Sequence, residues 1–239
     1  MAEIEKLGID ISMAQGSVDW ETLKKNEDLA FVIIRASQGI AQDSRFAYNI
    51  TECRRVGIPY GLYFASSAKS VAEAKAEAEF AIGYGRLYSP TFGMWFDLEL
   101  DSQRQLGKVT VSAMIRAWLE TVSVAGLRCG VYTNKTWLDT AIEHDIIEDY
   151  DLWYAAYPST AKKTLTQAPP DNQSKLSYPM AKIWQWSSKG KIDGIIGDVD
   201  LNVSYVEDLK PKKPSNLGYV TIEEAKKILS GMGYQGIIL

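Results

Sequence analysis

Short apolar runs rich in Val, Ile, Tyr and Trp recur along this chain at intervals of about 25 to 35 residues, and the early ones alternate with stretches of helical periodicity. That alternation is the pattern of repeated βα units, and it restricts the chain to α/β architectures. Eight strand candidates stand out, over residues 7–12, 30–37, 60–65, 93–99, 128–133, 151–155, 181–185 and 194–200. At 239 residues the chain is long enough for one large barrel domain.

Helices are expected between the early strands. One spans about residues 44–56, burying Phe46, Ile50 and Cys53, with Gly57 as its stop and Pro59 beyond. A second covers 70–82, where Ser70 and Glu73 form a capping box. A third covers 110–125 and gathers Val111, Met114, Ile115, Trp118, Leu119 and Val122 on one face, with Gly126 just past its end. Between Pro158 and Pro179 the chain turns to Ser, Thr, Lys, Gln and Pro without apolar period, so the last connections read as loops. The expected fold is a TIM-like, flattened eight-stranded barrel: about five βα units, then three helix-poor strands. The barrel takes residues 1–209, a linker 210–217, and a short helix-strand tail 218–239. About 25 residues cannot hold a core of their own, so the tail is expected to pack on the barrel, to self-associate, or to begin a longer wall-binding module.

Several classes of function are excluded. A formal net charge of −4, with no basic stripe carrying stacking aromatics, speaks against nucleic acid as a partner. No apolar run approaches the roughly 18 residues that span a bilayer, so no membrane insertion is expected. The N-terminal residues lack the charged-then-apolar pattern of a signal peptide, so the chain is expected to be made in the cytoplasm and to need another route out. Cys53 and Cys129 sit in helix and strand patterns as buried free thiols do. His144, the one histidine, stands in an acidic, surface-like stretch. One histidine without a cysteine cluster makes no zinc site, and no phosphate loop or nucleophile elbow is present. Neither metal nor cofactor is expected.

In barrels of this kind, polar residues at the C-terminal ends of strands form the site. Asp97 and Glu99 close the fourth run, and strand alternation puts them on one face, Cα atoms about 6.5 to 7 Å apart, with Trp95 sharing that face. Two carboxyls on one face suit glycoside cleavage, in which one protonates the leaving oxygen while the other supports a positive sugar ring. Asp-x-Glu alone is equally a solvated strand end. Further acids in equivalent places shift the reading, since Asp10 ends the first strand and Asp200 the last, and these strands are neighbours in a closed barrel. Mutual repulsion and partial burial would raise at least one of the four pKa values.

The motifs Gly8-Ile9-Asp10-Ile11-Ser12, Phe31 to Gly39, Trp95-Phe96-Asp97-Leu98-Glu99, Tyr132-Thr133-Asn134, Leu152 to Tyr157, Ile183 to Ser188, and Val199-Asp200-Leu201-Asn202 resemble, in their order, those of the family-25 glycoside hydrolases. The resemblance covers about residues 7–205. It implies a flattened barrel of five βα units and three further strands. It also implies cleavage of the β-1,4 bond between N-acetylmuramic acid and N-acetylglucosamine of bacterial peptidoglycan, as in phage endolysins and autolysins. By similarity Glu99 is the general acid, Asp97 the carboxylate that steers the substrate acetamido group or positions water, and Asp10 and Asp200 accessory acids. Asp198 is a weaker substitute for Asp200.

Candidates to stack on or hydrogen-bond the sugars are Tyr63, Trp95, Tyr132, Asn134, Trp153, Tyr157, Gln185 and Trp186, each equally compatible with core packing. Arg35 is either a substrate clamp or an ion-pair partner of Asp10. Two other readings fit a barrel with an aromatic mouth. A catalytically inactive carbohydrate-binding barrel is disfavoured by the intact acid set. A chitinase-like enzyme is disfavoured because Thr91, Phe92, Gly93, Met94 and Trp95 stand where an extended acidic run would be.

Overall fold

A computed structural model describes residues 5–165 and 180–206. The 210–217 linker and the 218–239 tail, with any self-association through it, lie outside the described residues, as does most of the 158–179 stretch. In chain order the elements are β1 (Lys6–Ile11), α1 (Trp20–Lys24), β2 (Leu29–Gln38), β3 (Ala41–Gln42), α2 (Phe46–Val56), β4 (Tyr60–Ala65), α3 (Val71–Tyr88), β5 (Met94–Asp97), α4 (Asp101–Arg104) and α5 (Lys108–Val124). There follow β6 (Cys129–Asn134), α6 (Lys135–Thr140), α7 (Asp145–Asp149), β7 (Asp151–Ala155), β8 (Lys163–Thr164), β9 (Ile183–Lys191) and β10 (Val199–Ser204).

Eight of these strands close a ring in the order β1, β10, β9, β7, β6, β5, β4, β2, with β2 returning to β1. Short β3 extends β2, and β8 lies against β9. Neighbours from β1 round to β9 are parallel, whereas β10 is antiparallel to both β9 and β1. The expected barrel of five βα units followed by three helix-poor strands is the observed one.

The reversal of β10 corrects one expectation. The last strand was read as 194–200, ending at Asp200. It begins instead at Val199, so Asp200 is its second residue. Because β10 runs against its neighbours, its beginning lies at the barrel end where the parallel strands finish. Asp200 therefore reaches the same mouth by the opposite route, as the register partner of Asp10.

The long helices follow from local chemistry. Ser70 caps α3 by accepting from the Glu73 amide at 3.2 Å, while the Glu73 carboxylate accepts from the Lys69 amide at 2.6 Å, one residue earlier than the capping box expected. The helix then runs past residue 82 to Tyr88, because Gly85 on its inner face leaves room for Met94 and Leu127; a Cβ there would stand 2.6 Å from each. All six apolar residues read on α5 are fully buried, and Trp118 stacks on Phe96 of β5 with ring centroids 4.9 Å apart. The short α1, α4, α6 and α7 carry too few turns to show a helical period in sequence.

Two cores result. The larger fills the space between helices and barrel wall. The smaller plugs the barrel with Phe31, Ile33, Phe92, Trp95, Tyr132, Trp153, Ala155 and Ile183. Gly8 of β1 is what admits Phe31, since a Cβ would lie 2.5 Å from its ring. Large aromatics buried this fully each contribute on the order of 3 kcal/mol. The barrel is thus filled beneath its mouth, and the polar groups above rest on a dry, packed floor.

Candidate active site

Asp10, Tyr63, Asp97, Glu99, Tyr132, Trp153, Gln185 and Asp200 line one small cavity of about 70 Å³ over that floor. Glu99 and Tyr132 also line a larger groove of about 610 Å³, continued by Arg104, Asn134, Lys135, Thr136, Trp137 and the Tyr154–Tyr157 segment. The four acids read from distant parts of the chain are brought together, and the groove leading away from them is of a size that suits an extended ligand.

Asp97 is the last residue of β5. Glu99 was expected on the same strand, but the strand stops two residues before it, and Glu99 reaches the cavity from the turn before α4. Gln103 holds that turn. Fully buried, it accepts from the Leu100 amide through Oε1 at 3.2 Å and donates through Nε2 to the carbonyls of Ser66 and Ala68 at 3.2 and 3.0 Å. The Ser66 hydroxyl in turn donates to Glu77 at 2.7 Å, and the Ser66 amide donates to the Asp97 carbonyl at 2.7 Å.

A second network orders the other acids. Asp10 Oδ2 accepts from Gln185 Nε2 at 2.8 Å and from Asn202 Nδ2 at 2.7 Å. Gln185 Nε2 also reaches Asp200 at 3.3 Å, while its Oε1 accepts from the hydroxyls of Tyr132 and Tyr157 at 2.8 and 2.6 Å. Asn202 Oδ1 accepts from the Trp153 indole at 2.8 Å. Every hydrogen-bonding face of Gln185 is therefore occupied within the protein, so it orients acids rather than offering itself to a sugar.

Burial dominates the ionisation of all four carboxyls. Asp10 is pushed up to about 6 by desolvation, held from going higher by its bonds to Asn202, Gln185 and Asp200. Asp200 is pushed up to about 8 by desolvation and then by the charge of Asp10. Of the two, Asp200 is raised further and so keeps its proton to higher pH. Asp97 is raised well above the usual carboxylate range, by burial first and then by Glu99 and Asp10, and Arg35 opposes the rise. Its Oδ1 is buried without a hydrogen-bond partner. Glu99 is raised by desolvation and then by Asp10, although the residue as a whole reaches solvent at the rim.

The other candidates separate. Tyr63, Tyr132 and Trp153 line the acid cavity. Asn134 and Tyr157 line the groove, where Asn134 also caps α6 by accepting from the Trp137 amide at 3.2 Å. Trp95 belongs to the barrel plug, its indole donating to the Phe92 carbonyl at 2.8 Å, and so lies below any ligand. Trp186 is a correction: it alternates to the outside of the wall and is buried in the outer core. Asp198 is another, because it stands outside β10 and pairs with Lys189 and Lys191 at 3.2 and 2.9 Å. Arg35 pairs with Asp43 at 2.6 Å rather than with Asp10. The fully buried Asp43 side chain is fixed by the amides of Met13 and Arg45 at 3.1 and 2.8 Å. Cys53 and Cys129 are buried and free, and His144 is exposed.

Asn202 was not singled out, although it stands two residues from Asp200 and strand alternation places both on one face. The groove residues Arg104, Lys135, Thr136 and Trp137 were missed with their short helices. Only the Asn134 cap, followed by Trp137 three positions on, marked one of those helices in sequence.

The sequence model of the glycosyl hydrolases family 25 matches residues 9–195. The chain is 26% identical over 206 residues to Lysozyme M1 of Streptomyces globisporus, covering 82% of this chain and 66% of that protein. It superposes on the modular autolysin LytC of Streptococcus pneumoniae, solved in complex with a synthetic peptidoglycan ligand, with a TM-score of 0.69 at 27% identity, covering 85% of this chain and 47% of that one. For the catalytic domain of endolysin ply40 from the Listeria monocytogenes bacteriophage P40 the TM-score is 0.66 at 27% identity, covering 85% of this chain and 95% of that domain. The chain thus spans just under two thirds of the Streptomyces lysozyme and about half of the pneumococcal autolysin.

Proposed function

The chain belongs to glycosyl hydrolase family 25, and on that footing we propose that it is a peptidoglycan hydrolase cutting the β-1,4 bond between N-acetylmuramic acid and N-acetylglucosamine. The observation that carries this reading is the convergence of Asp10, Asp97, Glu99 and Asp200 on one cavity beside a long groove. A barrel that only bound sugar would have no use for four carboxyls held against their mutual repulsion. The peptidoglycan ligand bound by the pneumococcal autolysin is the substrate chemistry taken here for this chain.

In the reaction Glu99, its pKa raised by desolvation and then by the Asp10 charge, donates its proton to the glycosidic oxygen as the C1–O bond breaks. The acetamido oxygen of the same sugar attacks C1 from the opposite face, oriented by Asp97. Asp97 is poorly accommodated as an anion in the empty cleft, and positive charge developing on the sugar reverses that. Water then opens the ring intermediate, returning a proton to Glu99. Asp10 sustains the pKa of Glu99, while Gln185 and Asn202 hold Asp10 in place.

No helix among the described residues is long and apolar enough to cross a membrane. The enzyme is proposed to act on the bacterial cell wall. The test is mass analysis of borohydride-reduced muropeptides after digestion of Gram-positive walls. A reduced end on muramic acid is expected. Reduced N-acetylglucosamine ends, or no new ends at all, would overturn the reading.

A further inference from the structure

The groove that begins at Glu99 carries two cations that the proposed reaction does not use. Arg104 on α4 and Lys135 at the start of α6 both line it, from the β5 side and the β6 side of the barrel mouth. Each holds an aspartate of its own helix: Arg104 Nη2 bonds Asp101 at 2.9 Å, and Lys135 Nζ bonds Asp139 at 2.7 Å. Neither aspartate lines the groove. Both pairs are solvated, the Asp101 side chain being 80% exposed, and exposed pairs of this kind contribute little. Glu99 is the one acid among the groove residues. The rest of the lining is aromatic, hydroxyl, amide or aliphatic. The groove therefore offers two cationic side chains to a ligand lying along it.

We infer that Arg104 and Lys135 form a carboxylate subsite that reads an acid group carried by the bound glycan strand while Glu99 works on its glycosidic bond. The inference rests on the muramidase reading for the identity of that strand. A neutral chain of acetylated sugars would give two cations nothing to bind, whereas peptidoglycan offers carboxylates on the lactyl group of unsubstituted muramic acid and on the stem peptide. Arg supplies a planar fork matched to a carboxylate, and Lys a mobile point charge able to follow a flexible substituent.

The experiment compares the wild type with the Arg104→Gln/Lys135→Gln double variant on three soluble glycans. One bears stem peptides, one is stripped of peptide so that lactyl carboxylates are free, and one is stripped and converted to lactyl methyl esters. The double variant is expected to raise KM on a carboxylate-bearing glycan about fivefold more than on the ester. Loss on the peptide-bearing glycan alone assigns the stem peptide, and loss on the free lactyl glycan assigns the lactyl group. Equal changes on all three overturn the subsite. If the wild type cleaves none of them, the muramidase reading fails instead. Calorimetric binding of the same three glycans to both proteins then decides the subsite by the same fivefold criterion.

Discussion

Asp10 and Asp200 are register partners across the antiparallel seam that closes the barrel, and the Gln185 amide donates to both carboxyls, at 2.8 and 3.3 Å. Closure of the ring, rather than any local sequence, creates that pair. It sets a half-buried acid beside a buried one, raising both pKa values, and so links the stability of the fold to pH.

Asp200, raised to about 8, and Asp10, raised to about 6, both hold protons in the folded state that the unfolded chain has released above its ordinary carboxylate range. The folded protein binds more protons, so this contribution is complete below about pH 4 and is lost as pH rises through 6 and then 8. Thermal melts between pH 4 and 9 are expected to show Asp200→Asn matching the wild type at the acid end and melting several degrees higher at the alkaline end. A variant that tracks the wild type across the whole range would show that Asp200 does not hold its proton in the folded state as described.

Asp10 raises Glu99, second only to desolvation. Removing its charge with Asp10→Asn should lower the pKa of the general acid and move the alkaline limb of the kcat/KM profile to lower pH. A limb left in place, with activity merely scaled down, would mean that Asp10 acts on something other than Glu99.

Glu99→Gln keeps the shape of the side chain and removes the transferable proton. Release of reducing sugar from cell walls should fall by about 100- to 10,000-fold, the range of general acid catalysis, with an unchanged circular dichroism spectrum. Turnover within tenfold of the wild type would remove Glu99 from the mechanism.

Gln103 fixes the turn that carries Glu99 by three backbone hydrogen bonds made in full burial. Gln103→Ala leaves those backbone groups unpaired and should destabilise the protein by about 2 kcal/mol in urea unfolding. Because the general acid loses its anchor, kcat should fall more than KM rises. A rise in KM alone would place the function of Gln103 in substrate binding.

Much of this was legible from the chain itself. β4 and β7 begin and end where their apolar runs do, and the inner face of α5 was read residue by residue. The elements that escaped were those too short to show a period, the helices α1, α4, α6 and α7 and the two-residue strands β3 and β8. Trp186 was misassigned because alternation says which residues share a face but not which face looks inward. Trp186 and Trp184 lie outside the wall with Gln185 between them inside.

The order of runs, their periods and the positions of four acids determined the barrel and the neighbourhood of its site, because these depend on local burial patterns written directly in residue type. Which acid keeps its proton, what holds the Glu99 turn, and why Arg35 turns to Asp43 were decided only by the closed ring. Desolvation and hydrogen-bond partners depend on contacts between residues up to 192 positions apart, such as Asn202 on Asp10, and no local pattern encodes them.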